Sequence, residues 1–257
     1  MFVRSRLAGG AGLGLAIAYL SVAVLIPLAA VVDQAFSQSL GDLWSAISNA
    51  EAVKALWVTI AIALVTSAVS AVMGTLVAWV LVRDRFPGQA IVNALIDLPF
   101  AIPTIVAGLT LLVLYGAGSP FGINIAFTRG IVLIALLFVT LPFVVRAVQP
   151  VLLELDPQAE EAAASLGASN VTIFRHIILP SLRPAILSGA ALSFARAVGE
   201  IGTLVLIAGK VPIASIVIFD DIEANSIRIA SSVSLVLMVI ALVVLFGIRR
   251  LGGRVAP

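Results

Sequence analysis

Six stretches of this 257-residue chain are apolar for long enough to cross a lipid bilayer, and no other feature restricts its fold so tightly. They run from Ala11 to Val32, Ala55 to Val82, Ile91 to Tyr115, Gly130 to Val148, Ala185 to Ala208 and Ile229 to Ile248. A hydrocarbon core about 30 Å thick is spanned by about 20 residues of helix. Hydrocarbon offers no partner to backbone N–H and C=O groups, so such segments must satisfy them internally, as helices do. The expected fold class is an all-α polytopic membrane protein with six transmembrane helices. Composition agrees: 61% of residues are hydrophobic and 11% charged, with a mean hydropathy of +1.21, outside the range of soluble domains.

Arg4 and Arg6 precede the first run and small residues stand at Ala29 and Ala30, as in a cleavable signal. The run exceeds the about 7 to 15 apolar residues of a signal core, so a retained first helix is expected. Arg4, Arg6, Arg83, Arg85, Arg146, Arg175, Arg183, Arg249, Arg250 and Arg254 fall on one side of the alternating spans, against Lys54, Arg129, Lys210 and Arg228 on the other. Positive charge accumulates on the cytoplasmic side, which puts both termini and the interval between the fourth and fifth spans there. The 15 basic residues form no patch despite a net charge of +2, which argues against nucleic acid as a partner. The chain has no cysteine, which excludes disulfides, thiolate metal sites and thiol redox chemistry. His176, between Arg175 and Ile177, has no metal-ligand company.

No linker, low-complexity tract or internal repeat divides the chain, so a single transmembrane domain over residues 1–257 is expected. The outer loops carry Asp33, Asp42, Glu51, Asp220, Asp221 and Glu223 beside few basic residues, a poor surface for capturing a free anion. Capture is therefore expected to fall to another protein. Gly10, Gly14 and Ala18 have the small-xxx-small spacing that lets helices approach closely in lipid. Pro99 and Pro103 should delay or kink the third span, and Pro142 the fourth, either as gating pivots or as accommodated prolines.

Residues 149–184 form the longest polar interval, and they read as two short helices. Asp156 is a good N-cap with Pro157 at the first helical position, and Glu160 and Glu161 suit the positive end of the helix dipole. Gly167 should end this helix in a left-handed conformation. A second helix, about Ser169 to Ile178, should stop at Leu179-Pro180. The first helix is too short to be stable alone and needs a packing partner, in its own subunit or another. A re-entrant amphipathic hairpin on the bilayer surface would account for the helices but not for the residue spacing within them.

That spacing is Glu161-Ala162-Ala163, three residues, Gly167, nine residues, then Ile177-x-Leu179-Pro180. It resembles the EAA loop of ABC importer permeases. The resemblance implies the type I importer (MetI-like) permease fold and docking of the first short helix on a cytoplasmic ATPase. Glu161 would form a charged pair with that ATPase, while Ala162, Ala163 and Gly167 permit close approach. No Walker A motif occurs: Gly209-Lys210 lacks both the upstream glycine and the following Ser or Thr. The chain is thus expected to be non-catalytic and to bind no cofactor, with ATP and Mg held by an ATPase dimer.

Two further stretches narrow the resemblance. Arg196-Ala197-Val198-Gly199-Glu200-Ile201-Gly202, closing with Ala208-Gly209-Lys210-Val211-Pro212, is similar to the RAxGExG segment of sulfate and molybdate permeases. Asp97-Leu98-Pro99-Phe100-Ala101-Ile102-Pro103-Thr104, with Val106 to Thr110 and Leu114-Tyr115-Gly116, is closest to the T-type sulfate/thiosulfate permease. The departures are Ile201, where an aromatic is usual, and Lys210, where Asn is frequent. The resemblance implies sulfate or thiosulfate as solute, delivered by an extracytoplasmic binding protein. It also implies a second, W-type permease subunit and residence in the cytoplasmic membrane of a prokaryote or a derived organelle membrane. A molybdate or tungstate permease would share the RAxGExG segment. An ion-coupled secondary transporter would place ionisable residues in broken helices of both halves, and Arg196 and Glu200 have no counterpart in the first half.

Arg196 and Glu200 are four apart and should share one helix face near the middle of a span. Charge there is costly, so both should face the bundle interior or a water-filled path. Either Arg196 attracts a divalent oxyanion in the pathway, or the two neutralise each other and fix helix packing. Asp97 is expected to be an interfacial cap or an interhelical partner.

Overall fold

The structure, a computed structural model, describes residues 3–37 and 39–251, with side chains from residues 12–37 and 39–250. Arg4, Arg6, Gly10 and Arg254, which enter the expectations above, lie outside the described side chains. Among the described residues the secondary structure is helical throughout. In chain order the helices are α1 (Val3–Leu20), α2 (Ile26–Phe36), α3 (Leu40–Ser48), α4 (Ala50–Arg83), α5 (Gln89–Ala101), α6 (Thr104–Tyr115) and α7 (Arg129–Glu154). They continue with α8 (Pro157–Ser165), α9 (Asn170–Ile173), α10 (Leu179–Val198), α11 (Leu204–Ile207), α12 (Ala214–Glu223) and α13 (Ile227–Leu251).

Among the described residues five continuous segments are long and apolar enough to span a membrane: Gly12–Phe36, Ala50–Arg83, Arg129–Glu154, Asn170–Val198 and Ile227–Arg250. The sixth expected span is broken: α5 and α6 meet at an angle of 114°. Pro99 sits inside α5 without ending it. Pro103 makes the break, because a proline ring pushes the preceding residue out of helical geometry, and Ile102 is extended at φ −99, ψ 144. α7 is not interrupted by its prolines and runs through both Pro142 and Pro150. Pro142 is buried among core residues of α7, so packing holds the helix where one backbone bond is lost.

The fifth span is shifted toward the N-terminus relative to the apolar run. The short helix that should stop at Leu179-Pro180 instead flows into α10 through a π-helical turn at Phe174–Ile178. The Leu179 N–H bonds to the Phe174 carbonyl, five residues back, and Pro180 follows. The same device precedes Pro27, where the Ile26 N–H reaches the Ser21 carbonyl across the π turn Ser21–Leu25. A π turn widens the helix where a proline can neither donate nor tolerate the carbonyl four residues back, so the chain passes the proline without stopping.

Two compact units can be distinguished. One comprises residues Met1–Val53 and Val217–Met238. In it the first span is almost wholly exposed, an apolar surface suited to lipid, and Gly14 has open space around it among the described residues. Ser39 caps α3 by accepting from the Asp42 N–H at 3.1 Å, and Asn49 caps α4 through the Ala52 N–H at 2.8 Å.

The other unit comprises Lys54–Ile216 and Val239–Pro257. Its core draws on α4, α7, α9 and α10: Ala78, Leu81, Val144, Val145, Val148, Leu152, Ile173, Ile178 and Leu182 are buried together. The long helices approach closely at Val144. A Cβ on Gly74 would lie 2.7 Å from the Val144 Cβ, and one on Gly189 would lie 2.7 Å from the Val144 Cα. Buried hydroxyls add interhelical bonds, from Ser67 Oγ to the Ala190 carbonyl at 2.7 Å and between Ser70 and Thr140 at 3.2 Å.

Candidate coupling surface and intramembrane polar sites

Local chemistry builds α8 as its sequence predicts. The Asp156 carboxylate accepts from the Gln158 N–H at 2.9 Å, and Pro157 occupies the first turn. At the other end Gly167 is left-handed, with φ +85. The Gly167 N–H bonds to the Ala164 carbonyl at 2.9 Å and the Ala168 N–H to that of Ala163 at 3.0 Å, a Schellman closure.

The helix has two faces. Glu161, Ala162 and Gly167 are exposed, whereas Ala163 packs against the buried core together with Ala168 and Ile177. Ala163 therefore lies on the inner face of α8, partly buried. Leu179 and Pro180 are exposed at the start of α10. Sequence reasoning missed two apolar side chains at the tip, Leu166, 90% exposed, and Val171, 74% exposed. Their signal was present, since large apolar residues in a polar loop that cannot all face a nine-residue helix's own core need some other cover. His176 bonds through Nδ1 to the Thr172 carbonyl at 3.0 Å, a local helical contact.

Glu160 turns the opposite way from Glu161. It pairs with Arg83 in the last turn of α4. The Arg83 guanidinium lies 5.3 Å from the centre of the Trp79 ring, and Trp79 in turn meets Phe174 edge-on at 5.7 Å.

Asp97 is an interhelical partner, and its partner is Arg146 on α7. Arg146 donates through Nε to Asp97 Oδ1 at 2.8 Å and through Nη2 to Oδ2 at 2.5 Å. Nη1 reaches Asn93 Oδ1 at 3.1 Å and Gln149 Oε1 at 2.6 Å, and Nη2 also reaches the Asn93 carbonyl at 3.0 Å. All five guanidinium N–H groups are thus engaged, tying α5 to α7.

Arg196 and Glu200 do meet, Nη2 to Oε2 at 2.6 Å, but not on a shared helix. α10 ends at Val198, and Glu200 lies in the turn beyond Gly199 because its side chain accepts from the Thr203 N–H at 2.9 Å. Its own carbonyl accepts from Ser215 Oγ at 2.8 Å. Glu200 is 1% exposed, so this carboxylate serves as an internal anchor for the turn. The turn lies on α6, with Thr203 Oγ1 bonding to the Thr104 carbonyl at 3.0 Å. A Cβ on Gly108 would come within 2.6 Å of the Thr203 carbonyl oxygen, so only glycine allows that approach. The Arg196 side chain remains 34% exposed.

Known proteins resemble this chain over most of its length. Residues 70–252 match the family described as binding-protein-dependent transport system inner membrane component. The sulfate transport system permease protein CysT of Salmonella typhimurium is 40% identical over 253 residues, covering 94% of this chain and 91% of that protein. The CysT of Synechocystis sp. is 45% identical over 246 residues, covering 91% and 86%. Among solved structures, a bacterial ABC transporter involved in import of the acidic polysaccharide alginate has a chain that superposes with a TM-score of 0.80 at 16% identity, covering 99% of this chain and 98% of that one. The MetNI methionine ABC transporter in an inward-facing conformation gives 0.63 at 22% identity, covering 86% and 100%. The last two comparisons speak to fold, which is that of type I ABC importer permeases. With its capped EAA helix, its apolar spans and a family match over residues 70–252, the chain belongs to the binding-protein-dependent transport system inner membrane components.

Proposed function

We propose that this chain is the transmembrane permease subunit of an ABC importer that moves sulfate or thiosulfate across the cytoplasmic membrane, driven by a separate ATPase dimer. What carries the reading is an exposed surface of Glu161 and Ala162 on α8 with Leu166 and Gly167 just past its end, set against an inner face at Ala163 packed on the core. The solute follows from the sulfate permeases to which the chain is 40–45% identical.

In this reading the chain hydrolyses nothing and holds no cofactor of its own; the ATPase holds ATP and Mg. Glu161 offers a charge to the ATPase, Ala162 and Gly167 allow close approach, and Leu166 and Val171 supply apolar contact. Ile177, Leu179 and Pro180 pass the displacement into α10 across the π turn. A second, W-type permease subunit completes the pathway, and an extracytoplasmic sulfate-binding protein delivers the solute. Both termini lie in the cytoplasm and the whole chain acts as one permease domain. The break at Pro103, with Pro99 beside it, is the pivot of the third span, while Pro142 is an accommodated proline. Glu200 and Asp97 hold the fold, and Arg196, paired with Glu200 yet partly open, borders the pathway.

Uptake of labelled sulfate, competed with thiosulfate and molybdate in cells carrying all subunits, tests the solute. Preferential competition by molybdate would move the chain to the molybdate/tungstate permeases. Glu161→Lys and Gly167→Pro in the reconstituted complex are expected to abolish uptake; uptake untouched by both would sink the docking model. Uptake that instead followed an ion gradient would point to a secondary transporter.

A further inference from the structure

Glu160 and Glu161 are adjacent acids with separate partners. α8 has nine residues, and seven of them are exposed; the exceptions are Glu160 and Ala163, three apart on one face. Apart from its two covalent ends, the helix therefore rests on its own subunit at an apolar contact through Ala163 and an ion pair through Glu160. A helix of this length has little stability of its own, so these contacts set where it sits.

The ion pair is built for position. Arg83 lies in the last turn of α4 and Glu160 in the first turn of α8, so each charge complements the dipole of its own helix and the pair joins two helix ends. The two side chains are 27% and 21% exposed, and Trp79, steadied by Phe174, flanks the guanidinium. Arg83 Nε is buried with no acceptor among the described residues. An unpaired buried N–H costs stability, so the arrangement is a poor stabilising device and a good locating one.

We propose that Arg83 and Glu160 are positioning residues that tie the coupling helix to α4, so that displacement of α8 is transmitted to the second span while Glu161 alone faces the ATPase. The proposal rests on the docking reading above. It gives Glu160, the acid just before the motif, a role the motif itself does not include: Glu161 receives the stroke and Glu160 passes it on. Ala163 carries the apolar half of the same contact. Without the ion pair, α8 stays attached at its ends and can slide over the core instead of moving α4.

The test uses the complete transporter in liposomes, with its ATPase, second permease and binding protein. Glu160→Gln and Arg83→Gln are each expected to retain the ATPase and its hydrolysis while lowering labelled-sulfate uptake per ATP hydrolysed by about 5-fold or more. The chain has no cysteine, so an Arg83→Cys/Glu160→Cys pair can be bridged by a short bis-thiosulfonate reagent and released by reductant. Bridging is expected to restore the ratio and reduction to lose it again, which a folding defect would not do. Unchanged uptake per ATP in both single variants overturns the tie. So does release of the ATPase by Glu160→Gln, which would make Glu160 part of the docking face. Failure of the docking reading shows separately, as Glu161→Lys leaving both the bound ATPase and uptake intact. If the wild type moves no sulfate, the comparison is made on ATP-driven change in hydrogen exchange over residues 70–83; its persistence in Glu160→Gln equally overturns the tie.

Discussion

A single apolar side chain at the tip of the coupling loop makes the sharpest residue-level prediction. Leu166 is 90% exposed and contributes nothing to the chain's own core, yet covering such a side chain is worth about 1.5–3 kcal/mol. Leu166→Ser is therefore expected to leave thermal stability in detergent unchanged and to weaken retention of the ATPase about tenfold or more, read by co-purification across ATPase concentrations. A second prediction concerns Asp221 in α12. Burial, then the charges of Glu51 and Asp220, push its carboxyl above the ordinary value of 3.8. The neutral form is thus favoured by folding, and stability declines as pH rises from 3.8 through the raised value. Asp221→Asn should remove that decline: its melting temperature should exceed the wild type's at neutral pH and converge with it in acid. Parallel curves would show that Asp221 carries no such penalty. The capping residues Asp156 and Gly167 were legible from sequence because a cap depends on its own few neighbours. The separation of Glu160 from Glu161 was not, because each face acquires its meaning from residues far away.

The broken span is the element whose behaviour depends most on side chains outside it. α5 is held by four hydrogen bonds from Arg146, to Asn93 and Asp97, and the link to Asp97 crosses 49 residues of chain. Arg146→Lys keeps the charge but loses the planar fork that reaches Asn93, Asp97 and Gln149 together. With both partners of the ion pair a third or more exposed, the expected cost is modest, about 1 kcal/mol. The more telling readout is local: hydrogen exchange over residues 89–101 should rise while that of α10 stays as in the wild type. Equal protection in the variant would mean that α5 is held by its apolar contacts alone. The two π turns before Pro27 and Pro180 are a lesson of the same scale. A proline signals a stop only if the helix keeps its ordinary register, and a local widening removes the conflict. At Pro103 no such widening occurs, and the chain bends.

At the scale of the molecule, the close crossing of long helices at Val144 is where a small change should have the largest effect. A side chain at Gly189 would meet the Val144 backbone, which cannot swing aside, so Gly189→Val should cost about 1–3 kcal/mol by overpacking. The melting temperature in detergent should fall, whereas Gly14→Val, with open space around it, should leave it unchanged. The sequence by itself determined the helical class, the approximate spans and the capped α8, because each follows from apolar length or from hydrogen bonds among near neighbours. It also carried the spacing that marks the family. The tertiary structure decided that of the third span's two prolines Pro103 rather than Pro99 makes the break, that the fifth ends before Glu200, and that Arg146 is Asp97's partner. It also decided which acid of the Glu160–Glu161 pair faces out. The physical reason is distance along the chain. Arg83 and Glu160 are 77 residues apart, and Thr203 and Thr104 are 99 apart. No local propensity can specify such a meeting until the packed helices bring its partners together.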